Sequence, residues 1–107
     1  MSVSLVYINT ADRAEALMIG RALVEAGLVA SANVVPDISS VYYWQGEVKQ
    51  RSEAVLILKT KSVLLDDIVN RVQALHSYEC PAIVAVPVTG GNPNYLEWLE
   101  RKTGGAA

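Results

Sequence analysis

The chain has 107 residues, 51% of them hydrophobic, which suits a single folded domain spanning residues 1–107. Its formal net charge is −2 and it has no basic run, so we expect no nucleic-acid partner. Because it has one cysteine, no secretory signal and no apolar run near the roughly 20 residues of a membrane-spanning helix, we expect a cytoplasmic protein with no membrane partner.

The first third of the chain carries strand, helix and strand signals in turn. β-branched and aromatic residues at 3–9 predict a strand covered on both faces. Asp12, followed three residues later by Glu15, predicts a capped helix start. A second strand is predicted at 28–35 and meets Pro36, where we expect a bulge, a bend or a break.

A long β-hairpin is predicted in the middle of the chain. Strand character resumes at 39–48 and returns at 53–61, with the tip predicted at Gly46 and the polar residues 49–52. Arms of this length would extend beyond the helices that cover the sheet, and their apolar side chains would need other cover. A second copy of the chain is the obvious source, so we expect a homo-oligomer.

The last third repeats the helix and strand signals. Ser62 is the predicted N-cap of a second helix, 82–88 is a short strand, and Asn92 with Pro93 opens a terminal helix, after which the tail should fray. The order β-α-β-β-α-β predicts a ferredoxin-like split βαβ fold. This is an α+β fold with two helices on one face of a four-stranded antiparallel sheet.

Five stretches spread along the chain carry a family resemblance: RALVEAGLVASANVVP (21–36), SSVYYWQGEV (39–48), LILKTK (56–61), LHSYECPAIVAVPV (75–88) and NPNYLEWL (92–99). In this order and spacing they resemble the CutA family of divalent-cation tolerance proteins. The resemblance implies a ferredoxin-like subunit in a homotrimer, with hairpins that pair between copies. It also implies a role in tolerance to copper and other divalent metals, and we predict a non-enzymatic protein.

Two positions depart from the family's pattern. Many members carry cysteine where this chain has Ser31, and members usually carry an aliphatic residue where it has Cys80. Copper binding through the first cysteine therefore does not carry over to this chain. We expect no obligatory cofactor and only weak binding of copper or another divalent cation.

His76 and Cys80, the single histidine and the single cysteine, form the candidate metal site. Imidazole and thiolate suit copper and zinc, but a protein zinc site needs three or four ligands, so neighbouring copies would have to supply the rest. In the alternative interpretation, His76 ends the second helix and Cys80 packs as a small apolar residue. Nothing nearby is strongly basic enough to activate the thiol, so we predict no catalytic residue.

A cleft between subunits is the second candidate site. The HSYE segment gathers polar side chains in a loop, which suits a ligand-binding rim, and Glu79 is predicted to pair with Lys59 or Lys61. In the alternative, Tyr78 packs at a subunit seam. The predicted lining comprises Trp44, Glu47, Lys59, His76, Tyr78 and Glu79.

Three consecutive aromatic residues, Tyr42, Tyr43 and Trp44, are predicted to fill the subunit interface, with stacking on a base or sugar as the alternative. Two functional alternatives to metal tolerance also remain open at this point. The trimer is either a PII-like signalling module that binds a small anionic metabolite or nucleotide in its clefts, or a purely structural assembly.

Overall fold

A computed structural model describes residues 2–104 of the chain. It contains strands and helices in this order: β1 (Val3–Thr10), α1 (Arg13–Glu25), β2 (Ser31–Trp44), β3 (Glu47–Lys61), α2 (Leu65–Leu75), β4 (Ile83–Val88) and α3 (Pro93–Arg101). The strands form one antiparallel sheet in the order β2-β3-β1-β4, which is the order of a split βαβ fold. The predicted α+β ferredoxin-like class is thus confirmed. The predicted fraying of the tail falls mostly on residues 105–107, which lie outside the described residues.

Helix α1 begins at the predicted cap and packs closely on the sheet. The Asp12 carboxylate accepts the N–H of Glu15 at 2.8 Å, and Glu15 Oε1 in return accepts the N–H of Ala11 at 2.9 Å. Gly20 sits on the buried face of the helix, where an added Cβ would stand 3.0 Å from the Cβ of Ala32. The glycine therefore lets the helix backbone approach β2.

The two faces of the sheet are covered differently. On one face, fully buried side chains of β1 and β3 pack against buried residues of α1 and α2: Val6, Ile8, Ala54, Leu56 and Leu58 against Ile19, Leu23, Ile68 and Val72. On the other face, which we call the open face, Tyr7, Val84 and Val86 are 39%, 55% and 52% exposed. Helix α3 lies near Lys59, whose Nζ is 5.8 Å from the centre of the Tyr95 ring.

The outer half of the β2–β3 hairpin extends beyond the rest of the sheet. β1 pairs with β3 from Ala54 to Lys61 only, so residues 47–53 pair with β2 alone. We call residues 38–53 the arm. The arm gives the subunit a long axis of 44 Å and a radius of gyration of 14.3 Å, against about 13 Å for a compact chain of this length.

The tip of the hairpin differs from the prediction. The turn is Gln45–Gly46, with φ values of 51° and 80°, and Trp44 pairs directly with Glu47. Two central residues with positive φ make a type I′ turn, whose twist matches that of the flanking strands. The prediction that residues 49–52 form the tip was wrong, because these residues continue β3.

The predicted irregularity at Pro36 is a β-bulge. The register of β2 against β3 shifts between Val35 and Ile38, and Asp37 takes a positive φ of 57°. Because the bulge accommodates the proline, β2 continues through it into the arm.

The predicted N-cap of the second helix was wrong. Ser62 opens a short 3-10 turn, and α2 begins at Leu65 without a side-chain cap. The hydroxyl of Ser62 lies 2.6 Å from the hydroxyl of Ser4 and 2.9 Å from that of Ser2. It ties the start of the turn to β1, so it is not available to cap a helix.

Candidate ligand-binding cleft

A cleft of about 780 Å³ lies between the arm and the loop that joins α2 to β4, a volume within the usual range of ligand pockets. The arm contributes Tyr42, Trp44, Lys49 and Arg51, and the loop contributes Tyr78, Glu79 and Cys80. Side chains alternate between the faces of a strand, and the pairing of Tyr42 with Lys49 places all four arm residues on one face. Because side chains alternate along both strands of the arm, every second residue contributes to one wall of the cleft.

His76 lies beneath the cleft, and its side chain has no exposed surface. Its backbone N–H closes α2 on the carbonyl of Val72, so the prediction that His76 ends this helix is confirmed. Nε2 lies 2.7 Å from the carbonyl oxygen of Asn9, and Nδ1 accepts the N–H of Tyr78 at 3.0 Å. A neutral imidazole with its proton on Nε2 makes both bonds, so the ring fixes the loop to the end of β1.

The residues present do not assemble a metal site within one subunit. Both ring nitrogens of His76 already have partners, so a metal would have to replace one hydrogen bond. Cys80 is exposed, and the prediction that it packs as an apolar residue was wrong for the subunit. Among residues 2–104, no three histidine, cysteine, aspartate or glutamate side chains converge. The His76–Cys80 metal site therefore stays a prediction.

Glu15 ties the loop to the start of α1. Its Oε2 accepts the N–H of Ser77 at 2.8 Å, while Oε1 holds the N–H of Ala11. Burial of the carboxylate acts to raise the pKa of Glu15, but the hydrogen bonds from Ala11 and Ser77 outweigh it and bring the pKa below the usual 4.5. Because His76 Nδ1 is an acceptor, its 3.8 Å contact with Glu15 is not an ion pair.

Tyr78 is held from three sides. Its hydroxyl donates to Oε2 of the buried Glu53 at 2.6 Å, the guanidinium carbon of Arg51 lies 4.8 Å from its ring centre, and the His76 ring lies 4.8 Å away. Burial, and then the hydrogen bond to Glu53, raise the pKa of Tyr78 above its usual 10. The loop therefore joins the arm through a neutral phenol.

The structure brings together only part of the predicted cleft. Trp44, Tyr78 and Glu79 line it, whereas Glu47 lies at the arm tip and pairs with Lys49 at 3.1 Å. Two predicted residues remain: His76 is buried and is not part of the lining, and Lys59 lies elsewhere in the subunit, as described next.

Lys59 lies six residues beyond Glu53 on β3, so about 20 Å of strand separate it from this cleft residue. Its Nζ instead donates to Oδ1 of Asn33 at 3.0 Å. Within the described part of the chain, no ion pair joins Glu79 to Lys59 or Lys61, so that predicted pairing is absent from the subunit.

The three consecutive aromatic residues do not share one environment. Tyr42 and Trp44 face the cleft, whereas Tyr43 points to the opposite face of the arm, where it is 77% exposed. Val41 and Val48 share that face with Tyr43, at 66% and 63% exposure, because Tyr43 pairs with Val48. One face of the arm therefore lines a cleft, and the other is an uncovered apolar strip.

Comparison with known proteins places the chain in a family. The model of the CutA1 divalent ion tolerance protein family matches residues 4–102. The chain belongs to this family. A divalent-cation tolerance protein CutA of Thermus thermophilus is 43% identical over 94% of this chain and 97% of its own length. The chloroplastic CutA of Arabidopsis thaliana is 40% identical over 92% of the chain, which spans about half (54%) of that relative's length.

Solved CutA structures share the fold. The Thermus thermophilus CutA1 structure superposes with a TM-score of 0.93 at 42% identity, covering 95% of this chain and 99% of that one. The CutA1 of Oryza sativa gives a TM-score of 0.95 at 36% identity, covering 99% and 97%. No helix in the described part of this CutA chain is long and apolar enough to cross a membrane.

Sequence reasoning missed Arg51, Glu53 and Lys49 as cleft residues. The signal was present, because charged residues alternate along 47–53 as they do in a strand with one polar face. Placing the hairpin tip at 49–52 concealed it, since residues in a loop have no fixed face. Gln45 is not a usual residue for positive φ, so the two-residue turn gave a weak signal.

Proposed function

We propose that the chain acts as a homotrimer in tolerance to divalent metal ions, without catalysis of its own. Membership in the CutA1 family supports the tolerance role, and the Thermus thermophilus relative carries this role in its name. Self-association follows from the arm, which is the single observation on which the proposal rests.

The arm is incomplete in one subunit. A two-stranded hairpin alone is at best marginally stable in water, yet the arm exposes Tyr43 and Val48 on one face. Val84 and Val86 leave a further apolar area on the open face, and β2 and β4 both have unpaired edges. A ring of copies that exchange arms would cover these surfaces and remove free edges.

In this proposal, copper or another divalent cation is a weakly held ligand and not an obligatory cofactor. A single subunit offers fewer than the three protein ligands of a zinc-type site among residues 2–104. The exposed thiol of Cys80 is the soft donor of the cleft, and other donors would come from neighbouring copies.

Light scattering on a variant of the arm tests the assembly. We expect a mass three times the 11.5 kDa of the subunit for the natural protein, and a smaller mass for Tyr43→Glu, because charge would be buried at the interface. Val63→Glu is the matched control, since Val63 lies outside the arm and is 76% exposed. A folded 11.5 kDa particle from the natural chain at micromolar concentration would contradict the assembly.

Growth of cells in rising copper tests the role. A strain that lacks this gene should grow at lower copper than its parent, and the natural chain or Val63→Glu should restore growth. Tyr43→Glu should restore it less, provided that its level in the cell is unchanged. Equal growth of the strain with and without the gene, in copper and zinc alike, would overturn the tolerance role.

The cleft favours a second candidate, a PII-like trimeric signalling module that binds a small anionic metabolite or nucleotide. Arg51 and Lys49 bring positive charge to a cleft of suitable size. A thermal-shift screen of carboxylates, nucleotides and metals separates the two candidates. Stabilisation by metals alone would favour tolerance through metal binding, and stabilisation by none of these would leave a structural trimer.

A cytoplasmic location is the remaining part of the proposal, and the free Cys80 supports it because thiols persist in reducing compartments. Relatives vary in this respect: the Arabidopsis thaliana protein is named chloroplastic, and the Archaeoglobus fulgidus one periplasmic. Fractionation of cells that express the chain at its natural level tests the location.

A further inference from the structure

Arg51 lies over an aromatic ring in the cleft. Its guanidinium is placed above the Tyr78 ring, with 4.8 Å between the guanidinium carbon and the ring centre. Within residues 2–104, no carboxylate forms an ion pair with Arg51 within 4.0 Å. A contact with a ring does not use the five N–H donors of a guanidinium, and their planar fork matches a carboxylate.

The Tyr78 ring beneath Arg51 is fixed by the fold. Tyr78 is fixed by its hydrogen bond to Glu53 and by the contact of its backbone N–H with His76. Tyr42 lies on the same face of the arm as Arg51, and its side chain raises the pKa of the Arg51 guanidinium. A cation placed over a fixed ring loses little side-chain freedom when an anion binds.

Aromatic surface stands next to this cation. Trp44 and Tyr42 line the same cleft, and Trp44 is 53% exposed. Indole and phenol faces bind flat rings by stacking, and they do so with little loss of conformational freedom. The cleft thus presents a flat apolar wall beside a planar hydrogen-bond donor.

The charge balance of the cleft sets the charge of its ligand. Its lining includes two cations, Lys49 and Arg51, and two carboxylates, Glu53 and Glu79. Lys49 is already paired with Glu47 at 3.1 Å, which leaves Arg51, among residues 2–104, as the cation of the cleft that lies outside any ion pair of 4.0 Å or less. A nucleoside triphosphate would bring several negative charges toward Glu79, whereas one carboxylate would meet one available cation.

We propose that this cleft binds a small, flat aromatic monocarboxylate, with its carboxylate on the Arg51 guanidinium and its ring against Trp44. The inference rests on the ligand-binding candidate above and narrows its ligand class. The tolerance role and the trimer do not depend on it.

Fluorescence of Trp44 provides the test. The chain has two tryptophans, so Trp98→Phe leaves Trp44 as the sole emitter, and benzoate is the probe. We expect saturable quenching by benzoate in the intact oligomer. Benzyl alcohol, which keeps the ring without the charge, and acetate, which keeps the charge without the ring, should each bind at least tenfold more weakly.

Variants of Arg51 identify the anchor. Arg51→Gln should weaken benzoate binding about tenfold to a hundredfold, the range for a hydrogen bond to a charged group, and Arg51→Lys should recover only part of the affinity. Arg101→Gln is the matched control, because Arg101 is an exposed arginine on α3. Calorimetry on the same proteins gives an independent dissociation constant, and light scattering shows that each variant keeps its mass.

Each other outcome overturns the inference in a distinguishable way. Binding of AMP or ATP without binding of benzoate would overturn the ligand class and leave the signalling candidate in place. Binding of neither would overturn both. Benzoate binding that is equal in Arg51→Gln and in the parent would place the ligand outside this cleft.

Discussion

The two halves of the β2–β3 hairpin lie in opposite environments: the arm, and the paired residues 31–35 and 54–61, which we call the base. At the base, Ala54 and Leu56 are fully buried under α1 and α2, whereas in the arm Val41 and Tyr43 are 66% and 77% exposed. Backbone pairing continues through both regions, so hydrogen bonding does not explain the difference. Helices of the same subunit cover the apolar side chains of the base, whereas no element of residues 2–104 covers Val41 and Tyr43 in the arm.

The largest effect is expected from a truncation at the base. Leu56→Ala removes a fully buried side chain from the centre of the sheet, so it should lower the free energy of unfolding by about 2–5 kcal/mol. Urea unfolding followed by circular dichroism measures this loss.

The arm provides the contrast to that truncation. Val48→Ala should cost little in a lone subunit, because Val48 is 63% exposed there, and its cost should grow with protein concentration if copies cover the arm. Val63→Ala, at an exposed position outside the arm, should change stability by no more than about 0.5 kcal/mol at any concentration. A cost for Val48→Ala that is independent of concentration would remove the contrast between base and arm.

The sequence predicted the base better than the arm, for a physical reason. At the base the apolar pattern indicates a buried strand, the Asp12–Glu15 cap marks the start of the helix that covers it, and Pro36 marks the bulge. In the arm, both faces carry aromatic residues and polar residues continue through the strands, so periodicity alone does not locate the turn. The sequence also failed to predict the charged wall of the cleft. Only a turn at residues 45–46 places Arg51 in a strand, where its side chain is directed to the same face as Tyr42.

The exposure of Cys80, which depends on the path of its loop, could not be predicted from the sequence either. Cys80 precedes Pro81 and an apolar strand, a context that favours burial, yet the loop leaves it exposed. The segment takes its path from two contacts between residues far apart in the chain: the His76 ring binds the carbonyl of Asn9, and the Glu15 carboxylate accepts the N–H of Ser77. No local pattern indicates such partners.

A smaller effect is expected where the loop after α2 joins the arm to the base. Tyr78→Phe removes the donor to the buried Glu53 carboxylate, and we expect a loss of about 1–3 kcal/mol in the free energy of unfolding at pH 7. The folded pKa of Tyr78 lies above 10, so the hydroxyl's contribution is complete below pH 10 and is lost as pH rises through that folded value.

Unfolding curves at pH 7, 9 and 10.5 check both parts of this prediction. The difference between the natural chain and Tyr78→Phe should be constant from pH 7 to 9 and then begin to narrow. Tyr7→Phe is the control, since Tyr7 is in β1 on the open face of the sheet, and the hydroxyl that donates to Glu53 belongs to Tyr78. A difference that widens above pH 10 would contradict the assigned hydrogen bond.

The next prediction concerns Glu15, which attaches the loop between α2 and β4 to the start of α1. Glu15→Gln keeps the shape of the side chain but removes the charge that two backbone N–H groups stabilise, and should cost about 1 kcal/mol at pH 7. The pKa of Glu15 is below 4.5 in the folded chain, so its contribution is present above pH 4.5 and is lost as pH falls through the folded pKa. The difference in stability between the two proteins should therefore shrink as pH falls below 4.5 and through the folded pKa of Glu15, as measured by urea unfolding.

The smallest effect is expected at the tip of the arm, where only the turn is involved. Gln45 holds a positive φ of 51°, a conformation that asparagine adopts more readily, so Gln45→Asn should raise the free energy of unfolding by about 0.5 kcal/mol. Gly46→Ala should act in the opposite direction and cost about 1 kcal/mol, because its φ is 80° and no atom of residues 2–104 lies within 4 Å of an added Cβ. Backbone strain is then the sole cause in both variants. If both left the unfolding curve unchanged at every protein concentration, the tip would contribute nothing to the stability of the hairpin, and the arm would depend on its contacts with other copies alone.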